Sequence, residues 1–309
     1  MTPPARRLLE ALLFVLCLAL LVWMVVQAGP SQLWLTLRSM PGTIALCCLV
    51  WGVGYLLNAA SFREVLQGKE GGLTYLQVLR LTISGYALNY ITPFGLLGGE
   101  PYRVWVLRRT ISTERATQGV VLYSMMHVAS HFCFWLLAGL LAIVSPLGVS
   151  RGMPMPYALL VTVVTILMLL LFWRLYRRGI ALRFMRRWVD WPLLNPSLLP
   201  SGRFVRALGL ELLSRLVNVV EYWVVMQALG FTTFGYAEAL LTVAFSSLLA
   251  NVLFFSPLQM GTREGGILLA LQYLLPDGQL LPVALTLSFA TRIREFLWIA
   301  IGLVLMHRK

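Results

Sequence analysis

Residues 89–103 read NYITPFGLLGGEPYR, and how this stretch is read decides the fold. Two prolines, three glycines, a glutamate and an arginine are packed into the tail of an apolar run. Proline removes a backbone donor and disrupts a helix, while glycine lets backbones approach closely. A helix therefore breaks here and leaves donors and acceptors unpaired. In water that describes an ordinary surface loop. In hydrocarbon each such group is costly until protein, water or a ligand satisfies it, so a break there marks a polar cavity.

Composition says which solvent applies. Of 309 residues, 59% are hydrophobic and only 12% charged, with a mean hydropathy of +0.80. That balance excludes a soluble globule with a charged surface. The chain has room for roughly six to eight membrane-spanning segments of about 20 residues. The expected fold is an all-α polytopic membrane protein, a single integral membrane domain over residues 1–309. Mainly apolar runs occupy residues 11–28, 43–60, 75–91, 120–144, 157–173, 204–229, 237–255 and 280–306. The first reads as an uncleaved anchor, with Val26-Gln27-Ala28 leaving signal cleavage open.

The net charge of +13 would suggest nucleic acid in a soluble protein, but here the basic residues are read by position, because short cytoplasmic loops collect Lys and Arg. Arg6 and Arg7 precede the first run, Arg63 and Lys69 follow the second, and Arg103, Arg108, Arg109 and Arg115 follow the third. Arg174 through Arg187 follow the fifth, and Arg308 and Lys309 end the chain. Both termini and the basic loop at about 174–203 are thereby expected on the cytoplasmic side of a bacterial inner membrane. The segment RRGIALRFMRRWVDW (residues 177–191) is expected to lie against anionic lipid. No nucleic-acid partner is implied. Cys17, Cys47, Cys48 and Cys133 all fall in apolar runs without metal-type spacing and read as packing residues.

The third run is basic on both flanks, so it enters from the cytoplasm and returns there through the opening stretch. A second break, NVLFFSPLQMGTREGG (residues 251–266), behaves in the same way from the opposite face. This gives six full spans and two re-entrant hairpins. The breaks also match each other: Asn89, Pro93 and Glu100 in one, Asn251, Pro257 and Glu264 in the other. Pro257 and Glu264 both lie 164 positions after their counterparts (257 − 93 and 264 − 100), and Trp298-x3-Gly302 follows Trp135-x3-Gly139 at 163 (298 − 135). An inverted repeat of about 41–145 and 203–306 is predicted, with the hairpin tips meeting near the midplane, as broken helices do in transporters.

Glu100 with Arg103, and Arg263 with Glu264, suit local ion pairs; they equally suit a phosphate held by arginine and an amine read by glutamate. For Arg103 a place at the cytoplasmic rim stays open. Glu211, Arg215 and Asn218 form a stripe on the sixth run, with Glu221 slightly displaced, and a Glu211–Arg215 pair is one reading of it. Arg292 and Glu295 share a face of the last run, with Arg294 on another. Intramembrane ionisable residues usually face a bundle interior or water cavity. His127 and His131 are one helical turn apart, but no His-Glu-x-x-His motif accompanies them, so packing or hydrogen bonding is expected and proton coupling is the alternative. No metal or cofactor is expected.

The motifs Asn89-x3-Pro93-x4-Gly98-Gly99-Glu100-x2-Arg103 and Pro257-x3-Gly261-x2-Glu264, with the late Arg292 or Arg294, resemble the lysylphosphatidylglycerol synthase transmembrane family. Its best-known member is the flippase region of the bacterial multiple-peptide-resistance factor. The resemblance runs from about the second run to the C-terminus. It implies movement of a phospholipid or other polar-head-group lipid between leaflets, with membrane lipids, anionic or phosphate-bearing, as partners. The soluble aminoacyl-transferase domain of the fused relatives is not expected, since Lys309 follows directly on the last span. A membrane enzyme acting on a polyprenyl phosphate remains an alternative, although the Pro-Gly-x-Ser-Arg-Ser signature of the undecaprenyl-diphosphate phosphatases is missing. An accessory role beside a lipid-synthesis enzyme is the third reading.

Overall fold

A computed structural model of the chain describes residues 30–66, 73–91, 98–144, 201–252, 262–275 and 280–307, with a few isolated positions between them. The first and fifth apolar runs, apart from those isolated positions, lie outside the described residues, as do the basic segment 177–191, Pro93, Pro257 and Gly261. Among the described residues every element is helical: α1 (Pro30–Ser39), α2 (Pro41–Leu66), α3 (Tyr75–Ile91), α4 (Gly99–Leu107), α5 (Thr113–Val144), α6 (Ser201–Ala228), α7 (Tyr236–Val252), α8 (Thr262–Leu274) and α9 (Leu280–His307).

Local chemistry sets several of the ends. Proline opens both α1 and α2, where its missing N–H is no loss and its fixed φ suits the first turn. α6 is closed by Gly230 at φ 90°, a conformation that costs a side-chain-bearing residue dearly. The Gln227 amide then donates to the Phe231 and Phe234 carbonyls at 3.2 and 2.7 Å, so the turn toward α7 leaves those acceptors satisfied.

Several charges are placed the opposite way to a water-soluble protein. Arg103, Glu211, Glu221, Arg292, Arg294 and Glu295 are buried in an interior that is otherwise mainly apolar. Leu46, Leu49, Val53 and Leu56 on α2, and Leu297, Ile301 and Val304 on α9, lie exposed at helical spacing. An outward leucine stripe around an interior that holds paired charge is what a lipid solvent selects. Two of the described helices, α2 and most of α5, are long and apolar enough to cross a membrane by length and composition. The 28-residue α6 and α9 carry the buried ionisable residues that lower their apolar content. At 1.5 Å per residue the 9-residue α4 and the 13-residue α8 span about 14 and 20 Å, too little for a hydrocarbon core of about 30 Å.

The helices pack as two matching sets. α2 lies against α6 and runs antiparallel to it, since Glu64 meets Arg206 at 3.3 Å at one end while Trp51 meets Glu221 at 2.5 Å further along. α3 and α4 form one hairpin and α7 and α8 the other. The short leg of each rests on the terminal helix of its own half, α4 on α5 and α8 on α9, whereas the long leg packs on the terminal helix of the other half, α3 on α9 and α7 on α5. Individual bonds repeat as well. The Tyr75 hydroxyl donates to the Leu56 carbonyl at 2.7 Å, and at the start of the second hairpin Tyr236 donates to Leu216 at 2.6 Å.

At its closest point, beside the cluster of Leu88, Ile91, Ile299 and Leu303, the α3–α9 crossing uses small residues, as helix contacts in lipid commonly do. The Ser84 hydroxyl donates to the Gly302 carbonyl at 3.1 Å, and a Cβ on Gly302 would run into Ala87 and the Ile83 carbonyl. Gly209 on α6 has open space at the same test. Gly302→Val is expected to cost about 1–3 kcal/mol as overpacking and to lower the melting temperature in detergent. Gly209→Val, followed by the same thermal size-exclusion assay, is expected to leave it nearly unchanged.

Candidate functional site

The site is built around the two short helices. At the first break the Asn89 side-chain oxygen accepts the Gly99 N–H at 2.6 Å, one of the donors that a helix start leaves unmatched; the N-cap residue Gly98 offers no side chain for the purpose. The first turn of α4 then presents Glu100, with Arg103 one turn on. Arg103 is 1% exposed, which places it inside the bundle and not at the cytoplasmic rim. Arg63, Arg80, Arg108 and Arg109 are the exposed arginines of this region.

Arg103 Nη1 donates to Glu100 Oε1 at 2.8 Å, so the local pair expected from the sequence is present. The guanidinium lies within an aromatic enclosure, 4.9 Å from the Tyr86 ring centre, 5.2 Å from Tyr123 and 5.9 Å from Phe62, in the range of cation–π attraction. Gly85 makes the space, because a Cβ there would strike the guanidinium. Among the described residues Arg103 Nε and Nη2 and Glu100 Oε2 have no hydrogen-bond partner although buried, and the same holds for Asn89 Nδ2. Unsatisfied buried donors and acceptors are expensive, most of all when charged.

At the second break the expected Arg263–Glu264 pair does not form. Each reaches α9 instead: Arg263 Nη1 donates to Glu295 Oε1 at 2.6 Å, and Arg292 donates to Glu264 Oε1 from Nη2 at 2.6 Å and Nε at 3.2 Å. The reason is geometric. Neighbouring side chains on a helix point to different faces, whereas Arg292 and Glu295, one turn apart, share the α9 face toward α8. Asn251 differs from Asn89: it is exposed and donates back to the Ser247 carbonyl of its own helix at 2.7 Å.

Arg294, on another α9 face, forms a two-pronged pair with Glu221 of α6 at 2.8 and 2.9 Å. It stacks 3.7 Å from the centre of the Trp51 ring, whose indole N–H donates to the same carboxylate at 2.5 Å. On the α6 stripe Glu211 does not pair with Arg215. Glu211 Oε2 lies 2.8 Å from His127 Nδ1, while Arg215 donates to the Ser130 hydroxyl at 2.7 Å and the His127 carbonyl at 2.9 Å and meets His131 Nδ1 at 3.0 Å. Both α6 residues face α5, so cross-helix partners win over the neighbour one turn away.

Two serines absent from the sequence reading complete the symmetry. Ser124 donates to Glu100 Oε1 at 3.2 Å and Ser288 to Glu264 Oε1 at 2.5 Å, and they lie 164 positions apart (288 − 124), as the glutamates do. That spacing was the signal by which they were legible. Between the two charged groups Trp51, Tyr55, Tyr86 and Trp298 form an aromatic layer, with Tyr55 centred 5.6 Å from Tyr86 and 4.8 Å from Trp298. Arginine, carboxylate and aromatic rings thus run continuously from Arg294 to Arg103. No group of three or more metal-type ligands occurs among the described residues.

Removing one partner of a buried pair strands the other's charge and typically costs about 3–5 kcal/mol, while an apolar replacement of both is far milder. Glu221→Gln is therefore expected to destabilise the protein strongly, and Glu221→Gln with Arg294→Met to recover most of the loss, read as thermal melting in detergent.

The model of the lysylphosphatidylglycerol synthase TM region matches residues 8–298. No curated protein sequence matches the chain. With nearly its whole length covered by that one model, and with leucine outside and paired charge within, the chain belongs to the membrane family of the lysylphosphatidylglycerol synthase transmembrane region.

Proposed function

We propose that the chain moves a phospholipid, or another lipid with a phosphate-bearing polar head group, between the leaflets of a bacterial inner membrane. The observation that carries this reading is Arg103: a guanidinium inside the bundle that spends one nitrogen on Glu100 and holds Nε and Nη2 without a partner among the described residues. A planar guanidinium with free N–H groups is matched to phosphate oxygens, and Glu100 Oε2 beside it is placed to meet an ammonium. The acyl chains stay in lipid while the head group crosses the polar interior.

The architecture supports the same reading. Two short helices that do not reach across a bilayer, each held to a long terminal helix by a glutamate–serine contact, act as the inner legs of re-entrant hairpins entering from opposite faces. In this proposal the halves are an inverted repeat with six full spans and cytoplasmic termini, as the sequence pattern implies. In this arrangement broken helices surround a midplane site, and rocking of one half against the other opens it to either side.

The test is exchange of fluorescent phospholipids between leaflets of proteoliposomes, with the intact protein against Arg103→Lys, Glu100→Gln and Glu264→Gln at equal insertion. Intact protein is expected to speed exchange. Arg103→Lys and Glu100→Gln are each expected to slow it about tenfold or more, the value of one charge-assisted hydrogen bond. Absence of exchange with every lipid and imposed gradient overturns the reading and turns attention to hydrolysis of polyprenyl phosphates.

A further inference from the structure

The interior carboxylates differ in the chemistry of their partners. Arginines of α8 and α9 answer three of them: Arg294 answers Glu221 of α6, Arg292 answers Glu264 and Arg263 answers Glu295. Arginine keeps its proton at any physiological pH, so these pairs are fixed. Glu211, 1% exposed and on the same helix as Glu221, instead meets a histidine, the one side chain whose ordinary titration falls in the physiological range.

The position of that histidine matters more than its type. His127 Nδ1 lies 2.8 Å from Glu211 Oε2 on α6 and 2.9 Å from the Tyr86 hydroxyl on α3. One ring nitrogen carries either a proton or a lone pair. With a proton it donates to the Glu211 carboxylate; with a lone pair it accepts from Tyr86. Tyr86 also meets the Tyr123 hydroxyl at 2.9 Å, so its hydroxyl has a second partner when His127 lets go. The alternative partners belong to different moving parts: α6 is a long helix of the second half, and α3 is the outer leg of the first hairpin.

The groups facing the imidazole from each packed element are Tyr86 on α3, Glu100 and Arg103 on α4, Tyr123 and His131 on α5, and Glu211 and Arg215 on α6. Arg215 Nη2 sits 3.4 Å from both ring nitrogens, and Arg103 lies beyond Tyr86 and Tyr123. α2 contributes Phe62 against Tyr123 and Tyr55 against Tyr86. Two arginines and one buried carboxylate thus bear on His127 with opposite electrical signs.

We infer that the His127–Glu211 pair is the proton site through which lipid movement is coupled to a transmembrane proton gradient. This rests on the transport reading above and supplies its driving ion. A proton arriving from one side forms the N–H bond at Nδ1 and locks α5 to α6. Its release to the other side breaks that bond, leaves the electron pair on nitrogen, and transfers the contact to Tyr86 and the hairpin. Because Arg103 stacks on that same Tyr86 ring, the hairpin contact and the head-group arginine move together.

Two measurements test it. Infrared difference titration of the intact protein in detergent is expected to show, as the pH is lowered, an imidazole protonation that disappears in His127→Asn and changes in Glu211→Gln, both close in size to the native residues. In proteoliposomes a tenfold proton gradient is expected to build a leaflet asymmetry of up to roughly tenfold for one proton per lipid, absent in His127→Asn. No titration, or lipid exchange indifferent to the gradient, overturns the proton site and leaves the transport reading standing. A clear titration with no exchange of any lipid overturns the transport reading, and the coupling with it.

Discussion

A charge held away from water needs an opposite charge or a hydrogen-bond partner supplied by the protein itself, and this constraint organises the bundle. The helices α4 and α8 bury apolar residues, Leu107 on one and Ile267, Leu271 and Leu274 on the other. Polar contacts fix their orientation: Glu100 to Ser124, Glu264 to Ser288 and Arg292, Arg263 to Glu295. The long helices are tied by Arg294 and Glu221. Leucines face outward because lipid asks nothing more of that surface, and the charges set within the apolar interior must meet one another with exacting geometry.

From this follows a difference between the two charged groups. The arginine–carboxylate pairs of α8 and α9 leave one buried nitrogen, Arg294 Nη1, unmatched among the described residues. Around Glu100, Arg103 and Glu211 more is left over, with unmatched nitrogens and oxygens at Arg103, Glu100, Glu211 and Asn89. The aromatic layer of Trp51, Tyr55, Tyr86 and Trp298 joins the two groups, so that a shift of one hairpin is felt at both.

The crossing of the hairpins between halves, with α3 on α9 and α7 on α5, has a mechanical consequence. Each half thereby holds the outer leg of the other, and α3 and α9 come closest at Ser84, Ala87 and Gly302, beside a packed cluster of Leu88, Ile91, Ile299 and Leu303.

Much of this was written in the sequence. Composition alone fixed the solvent as lipid, because too few charges are present to cover a soluble surface. That separate short helices begin at Gly99 and Thr262 was legible from the Pro and Gly of residues 89–103 and 251–266, and the 164-residue spacing of Glu100 and Glu264 extends to Ser124 and Ser288. The Glu100–Arg103 pair could be read because a spacing of three is local to a helix. What the sequence could not decide was which charge meets which across helices. Arg263 leaves its neighbour Glu264 for Glu295, Glu211 leaves Arg215 for His127, and Arg103 turns from the rim into an aromatic enclosure. Those choices depend on how α5, α6 and α9 are rotated and brought together, and only the tertiary structure sets distances between residues far apart in the chain.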